Sequence, residues 1–92
     1  MLIVAMLMGC GPTQDQFFDR YVKATCHRNG QCGGQTEAEC LDLFADAEWP
    51  ESENYTPADG AACLDVVEQV DADADCSAEA SIAISDACEG TI

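Results

Sequence analysis

The chain has 92 residues, with 18 acidic side chains against three Lys and Arg side chains, and its net charge is −15 at pH 7. This charge excludes nucleic-acid binding, which needs basic side chains to displace counterions from phosphates, and it excludes a basic helix that binds a membrane surface. Apolar residues make up 48% of the chain, too large a share for a disordered acidic tail. Seven cysteines in so short a chain predict one small domain, cross-linked by disulfides in an oxidising compartment.

The first eight residues, MLIVAMLM, carry no polar side chain. The run is too short to span a bilayer, which takes about 20 apolar residues, but it fits the apolar core of a secretory signal. No Lys or Arg precedes it, which suggests that the true start codon lies upstream. We therefore expect residues 1–9 to be a signal peptide that is removed.

Residues 7–10, LMGC, resemble the lipobox of bacterial lipoproteins. In that family a peptidase cuts directly before the cysteine, and lipid is attached to its thiol. The resemblance implies that Cys10 is the lipidated N-terminus, anchored in the bilayer by acyl chains such as palmitate, and that residues 10–16 hold this cysteine and a short tether. Gly11 stands where an Asp would imply retention at the inner membrane, so the resemblance points to the outer membrane. Without Cys10 six cysteines remain, an even number that can pair completely.

Three segments of the predicted domain, residues 17–92, share one pattern, in which a capping residue precedes an apolar stripe of helical period. The capping residues are Thr13, Thr36 and Thr56. Gly30 and the two glycines after it are expected to stop the first helix, and Pro50 is expected to end the second. Gly60, in the first turn of the third, is expected to cost roughly 1 kcal/mol relative to Ala.

The last segment allows two interpretations. Ser77 can cap a helix that runs through Ala87, whereas Ile82 and Ile84 alternate with small residues as in a short strand. We favour the helix because Ala is frequent here and no partner strand is visible. The predicted fold is all-α: a small up-down bundle of three to four short helices that is stapled by three disulfides.

The predicted core is small, and such a core rarely supplies more than about 3–5 kcal/mol. Three disulfides at about 2–4 kcal/mol each would add what it lacks. Four of the six cysteines lie on the inner stripes and two in turns. The up-down arrangement favours the pairs Cys26–Cys40, Cys32–Cys76 and Cys63–Cys88. A rival set contains a local Cys32–Cys40 pair together with Cys26–Cys76.

Asp71, Asp73 and Asp75 resemble the opening of a calcium-binding EF-hand loop. The pattern then needs Gly at position six and Glu at position twelve, where this chain has Cys76 and Ile82. Weak calcium binding is the function that these residues would support. A secreted acidic module that binds calcium or another cation is therefore the alternative to a lipoprotein.

Other chemistry has little support in the sequence. His27 lies among cysteines, but they lack the C-x-x-C spacing of zinc sites and would oxidise after export. The chain has one His and no G-x-S-x-G motif. We therefore expect no enzyme, no cofactor and no resident metal.

Trp49 and Tyr55 are the candidate contacts to a protein partner, because both residue types are typical interface anchors. Alternatively, both rings fold back and close the bundle between the second and third helices. All three Lys and Arg residues lie on the first helix, where Asp19 and Lys23 are spaced to form an ion pair. The remaining surface is acidic and repels anionic lipids, so that acyl chains have to provide the membrane attachment.

The whole mature chain resembles the small cysteine-rich lipoproteins of myxobacteria and their relatives. The resemblance rests on residues 17–21 (FFDRY), residues 61–64 (AACL) and the closing Cys88, beside the lipobox cysteine. Most of these proteins have no assigned activity, so the resemblance implies a compartment and disulfide use but no reaction. We expect a lipid-anchored protein on the periplasmic or cell-surface side that acts as a small structural or interaction module.

Overall fold

The structure, a computed structural model, describes residues 11–46, 54–89 and 91. In these residues the chain forms four helices and no strand: α1 (Gln14–Gln31), α2 (Glu37–Ala45), α3 (Pro57–Ala72) and α4 (Ala78–Ala87). The all-α prediction is confirmed, and the last segment is a helix as favoured over a strand. The predicted end of the second helix at Pro50 lies outside the described residues.

Each helix begins directly after a side chain that caps it. Thr13 and Thr36 form capping boxes, in which the hydroxyl accepts from the backbone N–H three residues on and a Gln or Glu side chain accepts in return. Thr56 and Ser77 cap α3 and α4 through the hydroxyl. The starts of the helices therefore follow from local sequence, because a cap needs only residues within one turn.

The end of α1 differs from the prediction, because the helix continues through Gly30. A Cβ at Gly30 would lie 3.3 Å from the backbone nitrogen of Glu37, so the glycine allows the start of α2 to lie against α1. The helix ends at Gln31, and Gly33, two residues further on, adopts a φ of +80°. The N–H of Gly34 then donates to the carbonyl of Asn29 at 3.1 Å, which closes the helix end.

Helix α1 is central in the bundle, since it packs against both α2 and α3, and α4 lies against α3. Phe17 is fully buried, and its ring centroid lies 5.4 Å from Phe18, 5.7 Å from Tyr21 and 5.6 Å from Tyr55. The buried cluster consists of Phe17, Phe18, Ala24, Cys63, Leu64, Val67 and Cys88. The core thus lies mainly between α1 and α3, and α2 contributes none of its residues.

Three disulfides join the helices in the pairing that the up-down arrangement favoured, and the rival pairing is wrong. They are Cys26–Cys40, Cys32–Cys76 and Cys63–Cys88, with sequence separations of 14, 44 and 25 residues. The first links α1 to α2, the second links the end of α1 to the turn between α3 and α4, and the third links α3 to the end of α4. Every helix is therefore tied to a neighbour by a covalent bond.

Gly60 has a role in tertiary packing that helix propensity does not reveal. It is buried in the first turns of α3, and a Cβ there would overlap the hydroxyl and ring of Tyr55. The missing side chain allows the Tyr55 ring to lie against α3 at Gly60. Helix propensity predicts that Ala at position 60 stabilises the fold, but the overlap with Tyr55 reverses this expectation.

Replacement of Gly60 by Ala is expected to lower the free energy of unfolding by about 1–3 kcal/mol, because the new methyl group displaces Tyr55. Urea unfolding of the oxidised chain measures the change. The double variant Gly60→Ala/Tyr55→Leu is the control and should recover most of the loss. A stabilised Gly60→Ala variant would show that propensity outweighs packing here.

Candidate functional site

The residues directly after the predicted lipid attachment site are held against the bundle. Gly11 has a φ of +88°, and a Cβ there would lie 2.5 Å from the carbonyl oxygen of Pro57. Pro12 is buried, and its carbonyl accepts a hydrogen bond from the Tyr55 hydroxyl at 2.7 Å. We call residues 11–13 the N-terminal strap. Cys10 itself lies outside the described residues.

The strap shortens the tether that the sequence predicted. Helix α1 begins at Gln14, so residues 14–16 of the predicted tether form its first turn. Within the described chain the N-terminal strap is held in two ways. Gly11 packs against Pro57 at the start of α3, and the Pro12 carbonyl accepts a hydrogen bond from Tyr55.

Tyr55 connects the strap to the core. Its ring lies against Phe17, its hydroxyl donates to Pro12, and burial raises the pKa of its phenol. Both its apolar and its polar atoms thus make contacts within the chain. Its role as a contact to a partner stays a prediction, and Trp49, the other candidate, lies outside the described residues.

Arg20 and Lys23 of α1 each bind an acidic side chain, and Arg20 does so across the interface with α3. Arg20 makes a bidentate contact with Glu68 of α3, at 3.0 Å from Nε and 2.6 Å from the terminal nitrogen, and Glu68 raises the pKa of Arg20. Lys23 pairs with Asp19 at 3.0 Å, as its spacing predicted. These side chains are about half exposed, so each pair contributes only about 0–1 kcal/mol. Their main effect is to place the few positive charges beside the acidic helix α3.

His27 and Arg28 extend the same pattern toward the far end of α1. Nδ1 of His27 lies 2.7 Å from Oδ1 of Asp71, and this pairing raises the pKa of His27. Arg28 donates from Nε to the carbonyl of Asp75 at 2.8 Å and from a terminal nitrogen to Ser81 at 3.3 Å. The end of α1 therefore holds the turn between α3 and α4 through side-chain contacts as well as through a disulfide.

The His27 pair predicts a pH dependence of stability. Because the folded pKa lies above the ordinary 6.5, protonated His27 stabilises the fold below about pH 6.5, and this contribution is lost as pH rises through the folded value. Asp71 is the main cause, and Glu37 adds to it. Urea unfolding between pH 5.5 and 8.5 measures the slope. We expect a smaller slope of stability against pH in a His27→Gln variant, in which the repulsion among the acidic side chains is unchanged. An equal slope would contradict the assignment to His27.

The three aspartates of the calcium candidate each bind a different group. Asp71 pairs with His27, Asp73 accepts from the Gln69 amide at 3.1 Å, and Asp75 accepts from the backbone N–H of Ser77 at 3.0 Å. This last hydrogen bond lowers the pKa of Asp75. Across residues 11–46, 54–89 and 91 no three His, Cys, Asp or Glu side chains are grouped to hold a metal ion. Calcium binding stays a prediction that the described contacts do not favour.

Helix α2 presents apolar side chains at its surface, among them Leu41, which its apolar stripe with Cys40 and Phe44 had predicted to face inward. Leu43 is 67% exposed and Leu41 is 37% exposed, while Cys40 is the buried residue of this helix. A groove of about 850 Å³ runs between α1 and α2, with Val22 and Phe44 among its lining residues. Among the described residues, α2 packs against α1 alone, which a stripe pattern in the sequence cannot show.

In the described part of the chain, no helix combines the length and the apolar content needed to cross a bilayer.

Comparison with known proteins adds no relative: no family model, curated protein or solved structure matches this chain. Its function therefore has to follow from its own residues and their contacts.

Proposed function

We propose that the chain is an extracytoplasmic lipoprotein, in which Cys10 carries the acyl chains and the helical bundle is a small structural or interaction module. One observation carries this proposal. The six cysteines from Cys26 to Cys88 pair with one another in three disulfides, and the chain has seven cysteines in total. A sulfur atom that is already in a disulfide cannot also bond to Cys10. The Cys10 thiol therefore remains available for a thioether bond to lipid.

The disulfides also support export. Bridges persist in oxidising compartments and are rare in the cytosol, where thiols are kept reduced. A chain with three of them is expected outside the cytoplasmic membrane. The apolar run MLIVAMLM and the LMGC sequence at residues 7–10 provide the matching signal for export and lipid attachment.

The charge of the molecule decides how it is anchored. With a net charge of −15 the surface repels anionic head groups, so that electrostatic attraction contributes nothing to membrane binding. One acyl chain binds only marginally, and two or more are needed for stable attachment. The N-terminal strap would then hold the bundle close to the bilayer. We propose the outer membrane as its location, because Gly11 follows the lipidated position in place of an Asp.

The test is the intact mass of the protein from the membrane fraction. The expected species begins at Cys10, carries two or three acyl chains and contains three disulfides. A Cys10→Ser variant is the matched control, and it should lose the adduct and leave the membrane fraction while keeping all three bridges. An unmodified Cys10 in a chain that still begins at Met1 would overturn the proposal.

A further inference from the structure

We propose that the Cys32–Cys76 disulfide is a thiol–disulfide exchange site, which an external dithiol reduces while the other two bridges stay intact. We call this bridge the exchange disulfide. The proposal rests on three features of the molecule: the exposure of these two cysteines, their position in turns and the charges around them.

Exposure separates this bridge from the others. Cys32 and Cys76 are both exposed, whereas the four cysteines of the other two bridges are inaccessible. The relative exposure is 0% for Cys26, Cys40 and Cys63 and 1% for Cys88. An attacking thiolate has to reach a sulfur atom along the axis of the S–S bond, so a buried sulfur reacts only after the fold opens. The exchange disulfide needs no such opening.

Both cysteines lie where the backbone leaves a helix. Cys32 is the C-cap residue of α1, and a Cβ on the following Gly33 would meet no atom within 4 Å. Cys76 lies in the turn between α3 and α4, two residues after Ala74, which adopts a φ of +50°. The space beside Gly33, the residue that follows Cys32, is therefore open. Separation of the two sulfurs requires no helix to unwind.

The fold keeps other connections at this end after reduction. Arg28 still joins α1 to the α3–α4 turn through its bonds to Asp75 and Ser81. The buried bridge between Cys63 and Cys88 still holds α4 to α3. The reduced molecule is thus still folded, and only the link between the end of α1 and the α3–α4 turn is weaker.

The surrounding charge indicates the kind of reductant that fits. Asp73 and Asp75 lie just before Cys76, Arg28 adds one positive charge at the same turn, and the molecule as a whole carries a charge of −15. This negative potential repels an anionic thiol and attracts a cationic one. The partner that fits is a dithiol protein with basic residues around its reactive cysteine.

The reaction balances with the dithiol as the electron donor. One of its thiolates attacks the Cys32 sulfur, the S–S bond breaks, and the Cys76 sulfur leaves as a thiolate that takes up a proton. The second thiolate of the donor then attacks the mixed disulfide and releases Cys32. The donor is oxidised to a disulfide, and this chain gains two electrons and two protons.

The first experiment follows reduction of the full oxidised chain by dithiothreitol under native conditions. Freed thiols are trapped with N-ethylmaleimide at intervals and located by peptide mapping. We expect Cys32 and Cys76 to be labelled together, at least about 10-fold faster than the four cysteines of the buried bridges, because those are released only by opening of the fold. Simultaneous loss of all three bridges, or earlier loss of a buried one, would overturn the proposal.

The second experiment tests the charge argument with three small thiols: cysteamine, mercaptoethanol and glutathione. Each rate is referred to thiolate concentration and to the rate of the same thiol with a small neutral disulfide, because thiolates differ in intrinsic nucleophilicity. On that scale we expect cysteamine to react about 3–10-fold faster than mercaptoethanol at low ionic strength, with glutathione slowest. The difference should shrink in 1 M salt and in an Asp73→Asn variant. An Asp86→Asn variant, which removes an acid from the other end of α4, should keep it. Equal rates for the three thiols would overturn the assignment of a basic partner.

Discussion

Replacement of Phe17 by Ala is expected to lower the free energy of unfolding by about 3–5 kcal/mol. Phe17 is fully buried and contacts three other aromatic rings, those of Phe18, Tyr21 and Tyr55. Its removal takes away apolar contacts and leaves a cavity that the disulfide-linked helices cannot close by moving together. For a domain of this size the loss is most of what the core contributes.

Urea unfolding of the oxidised chain, followed by circular dichroism, measures this loss. Ile82→Ala is the matched control, because Ile82 is 60% exposed and should change stability by no more than about 0.5 kcal/mol. The Phe17 variant should also release the N-terminal strap to protease, since Tyr55 packs on Phe17 and binds Pro12. A loss below about 1 kcal/mol would show that the disulfides, and not this cluster, hold α1 to α3.

Removal of the Cys63–Cys88 bridge is expected to cost about 3–5 kcal/mol, more than removal of Cys32–Cys76. Chain entropy alone predicts the opposite order, by about 0.5 kcal/mol, because the bridges close loops of 25 and 44 residues. The buried position of Cys63 and Cys88 reverses it. Their sulfur atoms fill the core beside Leu64 and Val67, and substitution by Ala adds the cost of a cavity to the loss of the cross-link.

The comparison requires two double variants, Cys63→Ala/Cys88→Ala and Cys32→Ala/Cys76→Ala, each unfolded in urea with the remaining bridges oxidised. A larger loss for the pair at residues 32 and 76 would contradict this expectation and would show that loop closure dominates. The two variants also serve the exchange proposal, since only the second should lack the rapidly reduced bridge.

Two of the charged pairs at the surface form between different helices. Arg20 and His27 lie on α1, yet their partners Glu68 and Asp71 lie more than 40 residues further along the chain. By contrast, the Asp19–Lys23 pair was predictable because both residues lie on one helix, four positions apart. Local spacing predicts local pairs, while partners on different helices depend on how those helices pack.

Cysteine spacing and helix topology together predicted which cysteines pair. Composition indicated a cross-linked exported domain, and helical stripes separated the buried cysteines from those in turns. The choice among pairings needed one further assumption, the up-down arrangement of the helices. The structure confirms that arrangement, and with it the pairs that it favoured.

By itself, the sequence determined where the helices begin and that its cysteines form bridges, because a cap such as Thr13 acts within one turn and sulfur chemistry depends on the compartment. Tertiary structure alone decided whether a side chain at Gly60 stabilises or destabilises the fold. It also decided that α1 continues through Gly30 and that Tyr55 holds the N-terminal strap. In each of these cases the deciding atom belongs to a distant residue. Steric overlap and burial depend on which surfaces meet, and no local pattern contains that information.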